Sequence, residues 1–492
     1  MPPPILIVAL LLLPAAGAGL CALLPSARSV FFAILGCVAG MASLSVALAA
    51  HVHLDGPAHT AWNWLMVDSL STFNLLIMTL VFLMSSAAAQ RYFRGDDALP
   101  PALARRFGAL WLGSFSGWNL VLLSNSVGLM WVGMEAATLL TAFLICIHRT
   151  RESLEATWKY LVICSVGIAF AFMGTLLVAA SAHSSHLSPS DSLLWTRLVA
   201  VSSRLNPDTI KVGFVFLIVG YGTKAGLAPM HSWLPDAHSQ APAPVSAVFS
   251  GFMLSASLYC IMRFVPLVEA STGNSGWCRR FLILFGVISI VVSAAFIVFQ
   301  KDLKRLLAYS SVEHMGIIAL GVGLGGLGTF AALFHTLNHS IGKTLAFFCA
   351  GRLGQMYGTH DMTRLAGTVK AAPVCGAGLF WAFLALLGMA PFAIFMSELQ
   401  ILKAAVDESA WWPFALFLLG TGIVFVGALR HAISMAWKEP GKPLTPEKAG
   451  WEDVVLVAVP LAVLVVLGVW MPDLLKDMLW RAARTVTGGA PM

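Results

Sequence analysis

Val219-Gly-Tyr-Gly-Thr-Lys224-Ala-Gly-Leu-Ala-Pro229-Met-His231-Ser-Trp-Leu-Pro-Asp236-Ala-His238 is an apolar run that takes in a lysine and then breaks. Proline removes a backbone donor and clashes with the preceding turn. In hydrocarbon such a break survives only where the freed backbone faces protein or a wet cavity. A second break, Gly388-Met-Ala-Pro391, interrupts another apolar run. Broken helices in matching positions of two halves mark inverted-repeat transporters, whose sites lie near the breaks.

The rest of the chain agrees with a membrane setting. Of 492 residues, 58% are hydrophobic and 11% charged, whereas a soluble domain carries about 25% charged residues. That is too little charge to coat a water-facing surface. The expected fold is an all-α polytopic membrane protein with about fourteen transmembrane helices of roughly 20 residues each. The spans fall near residues 3–25, 29–50, 65–88, 107–124, 126–147, 158–181, 211–230, 242–266, 281–300, 304–324, 327–351, 373–406, 410–436 and 453–472. Residues 1–106 then hold helices 1–3, and 107–270 a first repeat of five helices (4–8). Residues 271–440 hold a second, inverted repeat (9–13), and 441–492 the last span. Helices 7 and 12 are the broken ones. No direct sequence repeat shows, so the breaks alone carry this symmetry. The run from Pro4 to Leu24 lacks a basic flank and another span follows at once, so it reads as the first helix and not as a signal peptide. Ser181 to Lys211, the longest connection, is polar and too short to fold alone.

The net charge of +7 reflects basic loops held on the cytoplasmic side, not a nucleic-acid surface. Seventeen of the 30 Lys and Arg follow odd-numbered spans, from Arg28 through Arg91, Arg94 and Arg305 to Lys442 and Lys448. Both termini are therefore expected on the non-cytoplasmic side of the cell inner (cytoplasmic) membrane. Lys301-Asp-Leu-Lys-Arg305 reads as a cytoplasmic anchor. The eight cysteines form no CxxC or Cys/His cluster, so no metal or iron–sulfur site is expected. The 20 methionines have no ligand spacing and read as packing. No Walker A, nucleophile-elbow, quinone, haem or nicotinamide motif is present.

Placing an ionisable residue mid-span costs roughly 2.5–3.5 kcal/mol on insertion scales. Glu135, Lys224, His335, His339, Lys343 and Glu398 accept that cost. His335, His339 and Lys343 recur every four residues, on one helix face about 6 Å apart along the axis. Burial disfavours the charged form of such groups and a facing opposite charge restores it, so a Glu–Lys pair that can separate has a switchable proton affinity. Imidazoles titrate between the two. A proton-translocation path is the chemistry this set fits, and Lys suits a relay where Arg would not. The three basic residues placed inside spans are Lys159, Lys224 and Lys343.

Blander readings stand beside these. Glu135 and Lys224 could be a static pair pinning two helices, and a span histidine could be only an interhelical hydrogen-bonding group. Lys159 follows Glu155 by four residues, which fits a snorkelling side chain with a local partner as well as a proton entrance. His231, Asp236 and His238 could be a cap and loop or the same entrance.

The segment from Lys224 through Pro242-Ala-Pro-Val-Ser-Ala247 is similar to the signature of the proton-conducting, antiporter-like membrane subunits. These occur in respiratory complex I, Mrp-type cation/proton antiporters and membrane-bound nickel–iron hydrogenases. The resemblance covers about residues 60–440. Asp302-Leu-Lys-Arg-Leu-Leu-Ala-Tyr-Ser-Ser-Val-Glu313-His314-Met-Gly316 is a second hallmark, and its Ser-Val-Glu-His-Met form resembles the hydrogenase 4 component F-like and formate-hydrogenlyase branch. The resemblance implies that Glu135 and Lys224 form a first-half pair, that Lys343 with His335 and His339 links the halves, and that Glu398 is the terminal site. Some relatives carry His or Lys in span 8, where this chain has Ser250 and Ser255, so its relay there would depend on water or on His335 and His339. The chain stops soon after span 14, without the lateral helix of one complex I subunit. The implied partners are other membrane subunits and a soluble peripheral arm. Nickel–iron and iron–sulfur clusters or flavin are expected only in those partners, with no cofactor in this chain. Protons are the implied ion, with Na+ exchange, an inorganic-carbon uptake complex or a structural scaffold as alternatives.

Overall fold

A computed structural model describes residues 2–185, 187–439 and 449–488. Lys442, Lys448 and the boundary expected at 440–441 lie outside the described residues. The helices are α1 (Pro3–Leu23), α2 (Ala27–Asp55), α3 (Ser69–Tyr92), α4 (Pro101–Leu123), α5 (Val127–Ile145), α6 (Arg151–Ser181), α7 (Trp195–Ala200) and α8 (Pro207–Ala225). They continue as α9 (Trp233–Gln240), α10 (Ala243–Val248), α11 (Leu254–Ser271), α12 (Trp277–Ile297), α13 (Leu303–Leu324) and α14 (Gly326–Tyr357). The last are α15 (Thr368–Ala371), α16 (Pro373–Leu386), α17 (Ala393–Asp407), α18 (Trp411–Trp437), α19 (Trp451–Val469) and α20 (Asp473–Thr487). A two-residue hairpin, β1 (Ala58–His59) with β2 (Met66–Val67), is the one sheet among the described residues.

Ten helical segments among the described residues are long and apolar enough to cross a membrane. The other expected spans are α4, α8, α14 and the pair α16–α17. They carry Arg105 and Arg106, Lys224, the His335–Lys343 series and the second break, features that lower their apolarity. The chain is a polytopic all-α membrane protein. Side-chain caps set the starts of α3 and α13: Asp68 accepts the Ser71 N–H at 2.9 Å and Asp302 that of Arg305 at 2.9 Å, satisfying donors a helix start leaves open.

Both breaks are where the sequence places them. α8 stops at Gly226, whose φ of +74° is left-handed, and α9 follows it. Span 12 is two helices, α16 and α17, separated by a turn in which Gly388 has φ +65°. The Ser181–Lys211 connection is not featureless: it holds α7, with Trp195 and Leu198 buried.

α6 packs along α8, and α12 along α13. Small residues permit the approach, as membrane helix pairs require. A Cβ at Gly174 would stand 2.7 Å from the Gly213 carbonyl, and one at Gly286 2.7 Å from the Gly316 carbonyl. These close pairs bring Tyr160 on α6 to Lys224 on α8. α11, α13 and α14 are buried along nearly their whole length, whereas α1, α2, α18 and α19 present many exposed apolar side chains, the expected lipid face.

Two expectations about basic residues are corrected. Arg263, left out of the basic residues counted inside spans, lies in α11, 4% exposed, and grips Asp68 at 2.5 and 2.7 Å, with Tyr259 and Ser71 completing the network. A buried Arg is tolerated because its planar fork matches the carboxylate and satisfies it. Lys304 is not a surface anchor. It is 3% exposed and donates to the carbonyls of Ser239, at 3.1 Å, and Ala241, open acceptors at the C-terminal end of α9 that attract a cation.

Candidate functional site

In the first half, Lys224 is fully buried in the last turn of α8. Its ammonium donates to the Tyr160 hydroxyl and lies 4.3 Å from the centre of that ring and 5.8 Å from that of Trp233. The Tyr160 hydroxyl also meets Thr141 Oγ1 at 2.7 Å. Glu135 on α5 takes a hydrogen bond from Ser165 at 3.4 Å, and its Oε2 has no protein partner. Glu135 and Lys224 act on one another electrostatically without a direct ion pair, Tyr160 of α6 supplying the acceptor for Lys224. A tyrosine contributed by a third helix could not be read from the spacing.

At the centre, Phe249–Met253 form a π-helical turn between α10 and α11. Such turns displace side chains from the regular helical register and are frequent at functional sites. Ser250 from this turn meets Ser311 of α13 at 2.7 Å, while the Ser255 hydroxyl is buried without a partner. Lys343 of α14 is fully buried and donates to the Leu307 carbonyl and Ser310 hydroxyl, both at 2.8 Å.

Beyond Lys343 the expected face of α14 is present, with His335, His339 and Lys343 all 0% exposed. His335 Nε2 lies 2.9 Å from His314 Nδ1, and its Nδ1 lies 2.9 Å from the Ser397 hydroxyl on α17. The His339 ring centre is 4.9 Å from that of His314, and neither His339 nitrogen has a protein partner. Glu398 follows Ser397 and packs against Gly388 of the second break. It also lines a groove of about 280 Å³ between α17 and α18, with Phe395, Leu402, Phe417 and Thr421. His314, His335 and Glu398 place ligand atoms within 4.8 Å of one another, a set that could hold a metal ion. His314 Nδ1 and His335 Nε2 already satisfy one another across a hydrogen bond of 2.9 Å, through which the two imidazoles can share a proton.

The residues expected at an entrance divide. Asp236 pairs with Lys159 at 3.0 Å and with Arg305 at 2.5 Å, and Lys159 also reaches Glu155 at 2.7 Å. The local i,i+4 partner of Lys159 is therefore present, and so is a long-range one. His231 lies against Tyr309 and Phe296. His238 is fully buried, stacked on Phe347 at 5.0 Å, with both ring nitrogens unpartnered. Tyr160, Ser397 and the Ser250–Ser311 contact were not singled out from sequence, and Glu313 and His314 stood in the second hallmark without being weighed as site residues. Only the Glu313-His314 dipeptide carried a signal, two adjacent titratable residues inside an apolar run.

A family described as NADH:quinone oxidoreductase/Mrp antiporter, TM matches residues 124–424. The chain is 37% identical over 391 residues to a hydrogenase-4 component F homolog of Methylacidiphilum infernorum, covering 78% of this chain and 81% of that one. It is 30% identical to hydrogenase-4 component B of Escherichia coli over 72% of this chain and 53% of that longer protein. Among solved structures it is similar to a chain of the membrane-bound sulfane sulfur reductase, an archaeal respiratory membrane complex. The TM-score is 0.87 at 25% identity, over 98% of this chain and 97% of that one. A chain of respiratory complex I from Thermus thermophilus shares the fold, with a TM-score of 0.80 at 23% identity over 98% and 99% of the two chains. Matched over most of its length by these relatives, the chain belongs to the NADH:quinone oxidoreductase/Mrp antiporter transmembrane family.

Proposed function

We propose that this chain is the proton-translocating membrane subunit of a multisubunit energy-converting redox complex of the hydrogenase 4 type. The observation that carries the reading is a set of polar side chains between the two breaks, nearly all of them buried, which we order as one line. The line runs from Lys224 and Tyr160 through Ser250–Ser311 and Lys343 to His339, His314, His335 and Ser397, all buried, and ends at the half-buried Glu398. Polar groups without a protein partner sit along this line: Glu135 Oε2, Ser255 Oγ, His314 Nε2 and both nitrogens of His339 and His238. Buried polar atoms are normally satisfied by protein or by ordered water. Water is the partner left to these, and water joins the direct hydrogen bonds into one conducting chain.

In this reading protons enter beside Lys159, Asp236 and His231, reach the centre past His238 and Lys224, and leave by Glu398. Redox events in a partner arm shift charge near Glu135 and Lys224, and the pair hands that change to Lys343. Residues 107–270 and 271–440 act as two inverted repeats, one per half-path. Both termini lie on the non-cytoplasmic side of the inner membrane. Nickel–iron and iron–sulfur clusters or flavin belong to partner subunits of a peripheral arm.

Lys224→Ala and Lys343→Ala test the reading in the purified complex reconstituted in liposomes. Both variants should assemble and lose proton translocation. Full coupled translocation in either would leave a scaffold as the better account. Translocation that requires Na+ and no redox partner would favour a cation/proton antiporter.

A further inference from the structure

Glu313 lies on α13 between Ser310, which holds Lys343, and His314, which meets His335. Three residues separate it from Ser310, about 4.5 Å of helical rise. It is 4% exposed. The charges acting on it come from two other helices, Lys343 on α14 and Glu398 on α17. No described residue donates a hydrogen bond to its carboxylate, and it forms no ion pair with Lys343, whose contacts are a carbonyl and a hydroxyl.

A buried carboxylate without donors is too costly to persist. Glu313 must either carry its own proton or reach water, and alternation between these states is what a proton carrier does. We infer that Glu313 is a proton-holding site of the path, the group through which a proton passes from Lys343 to the His339–His314–His335 cluster. The inference rests on the proton-translocation reading above and adds a carboxylate to it. Lys343 as an ammonium favours the carboxylate form of Glu313, whereas Glu398 as a carboxylate opposes it. Loading of Glu313 is thereby tied to the proton on each neighbour. The step is a transfer without redox change: the ammonium of Lys343 gives its proton to the Glu313 carboxylate, and the carboxylic acid gives it to an unprotonated imidazole nitrogen.

The test is proton flux per turnover of the whole reconstituted complex carrying Glu313→Gln or Glu313→Asp, beside Lys343→Ala. Glu313→Gln should assemble, lose a protonated-carboxyl band in the infrared difference spectrum of turnover, and slow flux on the order of 10²-fold. Glu313→Asp, shorter by one methylene, should slow it roughly tenfold. Wild-type flux in Glu313→Asp, or in an assembled Glu313→Gln, overturns the inference. If Lys343→Ala still abolishes flux in that case, only the role of Glu313 fails; if Lys343→Ala also pumps normally, the proton reading fails with it.

Discussion

Gly388→Ala changes no titratable group and still should stop proton exit. A Cβ at this position would stand 3.0 Å from Cδ of Glu398 and overlap its Oε2. Carbon atoms rest at about 3.5–4.0 Å, so the carboxylate must retreat by roughly 1 Å. A displacement of that size in a reacting group costs on the order of 10²-fold in rate. The φ of +65° at Gly388 adds about 1–2 kcal/mol of backbone strain for an alanine. Gly358→Ala separates the two effects: its φ is +64°, and no atom lies within 4 Å of the added Cβ. Both variants should lose similar thermal stability in the purified complex. Only Gly388→Ala should lose proton flux, measured as the acidification of liposomes per electron pair. Equal flux in the two variants would refute the placement of Glu398 on the path.

Tyr160→Phe removes the hydroxyl that accepts from Lys224; stability should fall by about 1–3 kcal/mol and flux at least ~10-fold, read by calorimetry and by liposome acidification. Ser250→Ala and Ser311→Ala break the same 2.7 Å contact, so each should slow flux and the double variant should be no slower than the worse single one. Arg263→Leu leaves Asp68 buried and unpaired, which should cost about 3–5 kcal/mol. Adding Asp68→Asn should recover much of that in a thermal melt, with protons pumped per turnover unchanged in any variant that assembles.

The breaks were legible because Gly and Pro act locally: Gly226, Pro229, Gly388 and Pro391 end or start helices without help from distant residues. The His335–His339–Lys343 face was legible for a similar reason, since helical periodicity alone places the three together. What escaped was assembled across helices. Arg263 and Asp68 are 195 residues apart in the chain, and nothing near either one announces the other. Lys304 sits in a basic cluster that looks like a membrane-surface anchor, yet α9 folds back to give it two carbonyls. Glu135 and Lys224 were named as a pair by the resemblance, which said nothing of the residue that Lys224 contacts. Tyr160 lies on an apolar stretch of α6 and was invisible as the third partner. Glu313 and His314 were seen as a hallmark but not weighed as buried charges, because α13 reads as a polar, anchor-like segment at its start.

The claim on which all of this depends is that a wet, hydrogen-bonded route joins Lys224 to Glu398 inside the membrane. A high-resolution experimental map of the assembled complex tests it most directly. Ordered water should be found at Ser255, at both nitrogens of His339 and His238, and beside the Glu313 carboxylate, closing the gaps between the direct contacts. Dry apolar packing between Tyr160 and Ser250, or between Glu313 and Glu398, would contradict it.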